Sequence, residues 1–183
     1  NNYEEITNFY THTIYEKGAE VIRMLHTILG EALFQQGIKE YFRRHDGQAV
    51  TCDDFVDSME WAYQQQQQSD GVELSTFRRW YSQAGTPRVA VESRYDSAAQ
   101  TLTLSMKQSN PKVGVETLDP NFVKLPFHIP ISVALMGKDG QALSFEFNGG
   151  HYDEVLLHLK DEQQEFVFER VKSNAIPSIL RNF

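Results

Sequence analysis

The chain has 183 residues, of which 40% are apolar, 12% aromatic and 23% charged, the composition of a folded globular protein rather than a disordered or fibrous one. Its 17 Lys and Arg against 25 Asp and Glu leave a formal charge of −8, which speaks against a nucleic-acid partner because a phosphate backbone is held by clustered cations. No apolar run approaches the ~20 residues that span a bilayer, and the single Cys52 excludes an internal disulfide and fits a reducing, cytoplasmic compartment.

The first half reads as helical. From Tyr15 to Leu29 the apolar residues Ala19, Ile22, Leu25 and Leu29 recur at three- and four-residue spacing, with Val21 and Ile28 widening the stripe. Gly30 is expected to end that helix. Glu31 to His45 supplies a second, with Leu33, Phe34, Ile38, Tyr41 and Phe42 on its apolar face. Asp46-Gly47 is a turn signal. Thr51 followed by Asp54 predicts an N-cap with an acid in the first turn, opening a third helix through Tyr63. The glutamine run 64–68 and Ser69-Asp70-Gly71 form a low-complexity loop. Ser75 is then expected to cap a short fourth helix carrying Phe77, Trp80 and Tyr81, closed by Gly85-Thr86-Pro87.

After Pro87 the period changes to two. Val89, Val91 and Tyr95 alternate with polar residues, and Leu102, Leu104 and Met106 do so again, with Asp96-Ser97-Ala98 between them. Residues 107–125 are a polar connection containing Pro111 and Pro120. Further strands are expected at 128–135, 142–147, 155–159 and 165–171, with a last one at 178–181, and Lys138-Asp139-Gly140 is a hairpin turn. Six or seven short strands without intervening helices predict an antiparallel β-sandwich. The expected fold is therefore α+β. Residues 1–87 form a helical part of about four helices, and 88–183 a β-sandwich domain. The helical part holds 7 Lys and Arg against 13 Asp and Glu, so it carries most of the negative charge.

No complete active site is visible in the residues themselves. The six histidines (His12, His26, His45, His128, His151 and His158) include no pair at the His-Glu-x-x-His spacing that sets two imidazoles on one zinc, so no metal ligand is assigned. His26 reads as a hydrogen-bonded helix residue. Cys52 has acids at 53 and 54, which oppose thiolate formation, and no nearby base. No nucleophile elbow or phosphate loop is present. The chain starts at Asn1-Asn2-Tyr3 without an initiator Met, as a fragment does.

Five segments carry a resemblance. They are Tyr15-Glu16-Lys17-Gly18, residues 18–25, Arg44-His45-Asp46-Gly47, Thr51-Cys52-Asp53-Asp54-Phe55, and the run 77–87 from Phe77 to Pro87. In this order and at about this spacing the chain resembles the zinc aminopeptidases of the aminopeptidase N family. Residues 88–183 are similar, with less specific motifs, to the small sandwich domain that follows the catalytic domain in that family. The resemblance implies that Tyr15 is the catalytic tyrosine, whose phenol donates to the oxyanion formed at the scissile carbonyl. It implies more loosely that Tyr10 stands near the substrate side-chain pocket. Glu16 and Lys17 are expected to fix the local backbone or pair with neighbours, and Arg78, Arg79 and Trp80 to pack at the domain junction. Zinc belongs, on this resemblance, to an upstream His-Glu-x-x-His helix of the full-length enzyme, and a large helical domain follows downstream. The fragment alone is expected to bind no zinc and to be inactive. Its expected partners are peptide substrates and those missing domains, with no nucleic acid and no membrane.

Two other readings remain open at this level. One is a stand-alone module that binds a peptide or protein along a strand edge; the other is a structural spacer.

Overall fold

The computed structural model describes residues 12–65 and 74–181. The chain divides into two compact units, Asn1–Trp80 and Tyr81–Phe183.

In the first unit a π-helical turn, Thr13–Lys17, runs into α1 (Gly18–His45). A residue at φ 73° and ψ 161° interrupts α1 at Gly30, in a region open only to glycine. Gly30 therefore does not separate two helices with a linker; it joins two helical arms directly. The first arm buries Val21, Leu25, Ile28 and Leu29, and the second buries Leu33, Gly37 and Glu40. The next helix, α2 (Cys52–Gln64), opens on a capping box. The Thr51 N–H donates to Asp54 Oδ2 at 2.7 Å and the Asp54 N–H returns a 3.4 Å bond to Thr51 Oγ1. Val56, Met59, Ala62 and Tyr63 turn inward from α2. Val56, Met59 and Tyr63 pack with Val21, Leu25, Ile28, Leu29 and Leu33 of α1 and with Leu74 and Phe77 into one apolar cluster.

The expected fourth helix is reduced to turns at 75–78 and a single helical turn, α3 (Arg79–Ser82). Among the described residues there are thus three α-helices and not the expected four helices. One predicted break proved to be a kink, and the last segment is too short to propagate beyond one turn.

The second unit is antiparallel throughout. Strands β1 (Arg88–Asp96), β2 (Thr101–Ser109) and β8 (Gln163–Phe168) form one sheet with β2 central. The β1–β2 turn is held by Asp96 Oδ1, which accepts the N–H groups of Ala98 and Ala99. In a second sheet β3 (Ile129–Met136) pairs with β4 (Ala142–Leu143), β7 (Glu154–Leu159) and β9 (Ile176–Ile179). Val133 pairs with both Val155 and Ile179, so β7 and β9 flank β3. That central position explains why β3 is buried along nearly its whole length. A separate hairpin joins β5 (Phe145–Phe147) to β6 (Gly150–Tyr152). The strand expected over 142–147 is two strands divided at Ser144, one pairing with β3 and the other with β6. The molecule is α+β, with a long and a short helical element followed by sheets.

The connection expected to be plain loop has its own structure. β2 runs on to Ser109, and a 3-10 helix spans Gly114–Leu118. Glu116 within it is buried and meets Lys124 Nζ at 2.7 Å. Glu116 also accepts the Ala84 and Val113 N–H groups at 3.1 and 3.0 Å. The Lys124 bond, followed by these backbone donors, holds the Glu116 carboxyl below its ordinary range.

Candidate functional site

Tyr15 lies in the middle of the π-helical turn, and its carbonyl accepts the Gly18 N–H that starts α1. A π turn is wider than an α turn and is often found where a side chain must leave the regular helical register. Tyr15 is 59% exposed and its neighbour Ile14 49% exposed. Glu16 lies 3.6 Å from His12 Nδ1, one helical turn back, as a solvent-exposed pair. Tyr10 lies outside the described residues.

The remaining polar clusters of the first unit tie helices together. Glu31 accepts from His26 at 2.7 Å and from Gln35 at 3.0 Å, so a carboxylate bridges the two arms of α1 just past Gly30. The His26 hydrogen bond is the main cause that lowers the Glu31 pKa. Glu40, buried on the second arm, receives Arg43 at 2.6 and 2.7 Å and Arg44 at 2.6 Å. The Arg43 bonds above all lower its carboxyl to about 2, against the opposing effect of desolvation. Arg78 binds three carboxylates of α2. It meets Asp53 at 3.1 Å, Asp57 at 2.5 Å and Glu60 at 3.0 Å. Its role is to clasp the segment after residue 74 onto that helix.

In the second unit His128, fully buried, faces His158 with its Nε2 2.8 Å from the partner's Nδ1. Burial first, then the nearby His158 and Lys160, depress the His128 pKa to about 3, so it is neutral at ordinary pH. This pair escaped the sequence because it depends on strand register: Pro130 lies opposite His158, which brings residue 128 beside it. A cavity of 440 Å³ lies among Leu143, Phe145, His151, Arg170 and Lys172, and Arg170 there is paired with Glu146 at 3.0 Å.

Among the described residues no group of three or more His, Cys, Asp or Glu is placed to hold a metal ion. The donor set among the described residues does not fit a zinc site. No described helix is long and apolar enough to cross a membrane.

With this geometry in view, comparisons with known proteins give a consistent result. Residues 1–80 match the profile of the peptidase family M1 domain, and residues 85–183 match a domain of unknown function, DUF3458, with an Ig-like fold. The chain is 44% identical over 179 residues to aminopeptidase N of Escherichia coli (strain K12), covering 98% of this chain and 19% of that protein. It is 41% identical over 179 residues to aminopeptidase N of Haemophilus influenzae, again covering 98% of this chain and 19% of that protein. A crystal structure of Legionella pneumophila aminopeptidase A in complex with aspartic acid superposes with a TM-score of 0.77 at 26% identity, covering 98% of this chain and 18% of that one. The chain thus spans about a fifth of the length of these relatives.

Proposed function

Since this chain belongs to peptidase family M1, within the aminopeptidase N group, we propose that it is the end of the catalytic domain and the following β-sandwich domain of a zinc-dependent aminopeptidase. The enzyme removes N-terminal residues from peptides in the cytoplasm. Zinc resides in a part of that enzyme beyond these residues, so the 183-residue chain is inactive by itself and meets peptide substrates only together with its zinc-bearing and downstream helical domains.

The part assigned to this chain is Tyr15. A phenol O–H is a hydrogen-bond donor. Aimed at a scissile carbonyl, it stabilises the negative charge that builds on the oxygen as the carbonyl becomes tetrahedral. One such donor typically accounts for about 10²–10³ in rate. The observation that carries the reading is the placement of Tyr15. It lies within the stretch matching the M1 domain, on a π-helical turn, and it is turned toward solvent instead of into the helical core.

Two assays test the proposal. The isolated chain with one equivalent of zinc should not turn over an aminoacyl-anilide; sustained turnover at that metal content removes the claim that it is inactive alone. In the full-length enzyme, Tyr15→Phe should lower kcat by about 10²–10³, and an unchanged kcat removes Tyr15 from the mechanism.

A further inference from the structure

We propose that residues 113–125 of the β unit are a docking surface for an apolar face of another domain of the same polypeptide. The inference rests on the reading above that these residues are part of a longer, multidomain chain. The segment is folded inside out. On the 3-10 helix Gly114–Leu118, Val115 and Leu118 stand three residues apart and so share a face, since such a helix has three residues per turn. That face is turned to water, with Leu118 81% exposed, whereas Glu116 is buried. In the stretch that follows, Val123 and Leu125 are exposed on either side of Lys124, whose side chain is only 7% exposed. A segment built to face solvent has the opposite arrangement, because burying a charge costs free energy and exposing an aliphatic side chain gains none.

Positive contacts fix this arrangement. The Glu116–Lys124 ion pair, 2.7 Å long, brings the two arms of the segment side by side, and Lys124 also donates to the Ala84 carbonyl. Gln83 binds the Leu125 backbone in both directions, accepting its N–H at 2.7 Å and donating to its carbonyl at 3.0 Å. Turning the valines and leucines inward would break this buried pair, which is costly. An outward apolar patch of this kind marks an interaction surface. Its size argues for the occupant. A patch on the order of a few hundred Å² is smaller than the roughly 800 Å² per partner that separate proteins bury when they associate stably. A domain on the same chain needs less area, because the linkage holds it at an effective concentration of about millimolar. The matched region is only 19% of the Escherichia coli relative, so a parent of that length has further domains to cover the patch.

The test introduces Leu118→Cys, and separately Val123→Cys, into the full-length enzyme and into the isolated chain. Alkylation by iodoacetamide is followed by mass spectrometry of the peptide that carries the new thiol, in native protein and in denaturant. Expected in the native full-length enzyme is a rate at least about tenfold below the denatured rate at both positions, since the core of an interface excludes solvent and reagent. That protection should not depend on protein concentration. In the isolated chain both thiols should react at nearly the denatured rate. Labelling of the native full-length enzyme as fast as the denatured one, at either position, overturns the inference. So does equal protection in the isolated chain, which would mean that the segment packs within its own unit. Protection that fades on dilution also overturns it, by making a second copy the occupant. Fast labelling beside normal aminopeptidase activity overturns the inference alone. Protection in a protein whose wild type lacks that activity overturns the proposed function and leaves the inference standing.

Discussion

Gly37 of α1 lies directly against Met59 of α2. A Cβ at position 37 would stand 3.2 Å from the Met59 Cα and well inside contact distance of its Sδ. Met59 itself is fully buried. Gly37→Ala therefore has to push the helices apart or displace Met59, at about 1–3 kcal/mol. The better helix propensity of alanine recovers at most about 1 kcal/mol of that. The expected outcome is a lower urea midpoint for unfolding of the helical unit with an unchanged slope. An unchanged or higher midpoint would show that the helices meet elsewhere.

His128 links the stability of the β unit to pH. Its folded pKa is about 3, whereas an unfolded histidine titrates near 6.5. Between those values the unfolded chain binds more protons, so stability rises with pH across the window. The contribution is fully present above about pH 6.5 and is lost as pH falls toward 3. Glu40, Asp54 and Glu116 also have lowered pKa values, so their contributions fade only below the ordinary carboxylate range. The interval from about pH 6.5 to 5 isolates the histidine from them. Denaturant unfolding across that interval should show a stability slope in the wild type that is much reduced in His128→Gln. Equal slopes in the two proteins would refute the linkage.

Local signals are legible in the sequence, and register-dependent ones are not. The Thr51–Asp54 capping box lies within a single turn, and the alternation of Leu102, Leu104 and Met106 names three residues that are all buried in β2. Gly30 was legible as a break, but whether a glycine ends a helix or bends it depends on what both arms pack against. Residues 142–147 look like one strand, yet their two halves find different partners on either side of Ser144. The His128–His158 contact and the Glu116–Lys124 pair join residues that no spacing rule connects. Tyr15 stood out only through its resemblance to a family, because an exposed tyrosine at the start of a helix has no chemical signature of its own.

The exposure of Tyr15 separates the chemical role proposed for it from any structural one. A side chain 59% exposed contributes little packing, so Tyr15→Phe in the isolated chain should leave stability within about 0.5 kcal/mol of wild type. Thermal or urea unfolding checks this directly. A larger loss would mean that the hydroxyl holds the π-helical turn together, and a drop in turnover of the full-length enzyme would then have a structural explanation.

The kink at Gly30 gives a prediction of definite sign. In a straight exposed helix, glycine to alanine stabilises by roughly 0.5–1 kcal/mol. At φ 73° and ψ 161°, a Cβ meets its own backbone, and non-glycine residues there carry about 1–3 kcal/mol of strain. Among the described residues no heavy atom outside its immediate surroundings crowds the site, so the penalty comes from the backbone. Gly30→Ala should therefore destabilise the helical unit, or straighten α1 and separate the two faces that bury Leu25 and Leu33. Straightening would also pull Glu31 away from His26, whose hydrogen bond spans the kink at 2.7 Å. The two outcomes are distinguishable. Strain alone lowers the unfolding midpoint and keeps the His26–Glu31 contact, seen by NMR as a Glu31 carboxyl whose pKa stays lowered. Straightening returns the Glu31 pKa toward its ordinary value and exposes apolar surface to a hydrophobic dye. A Gly30→Ala protein more stable than wild type would mean that α1 runs straight through residue 30.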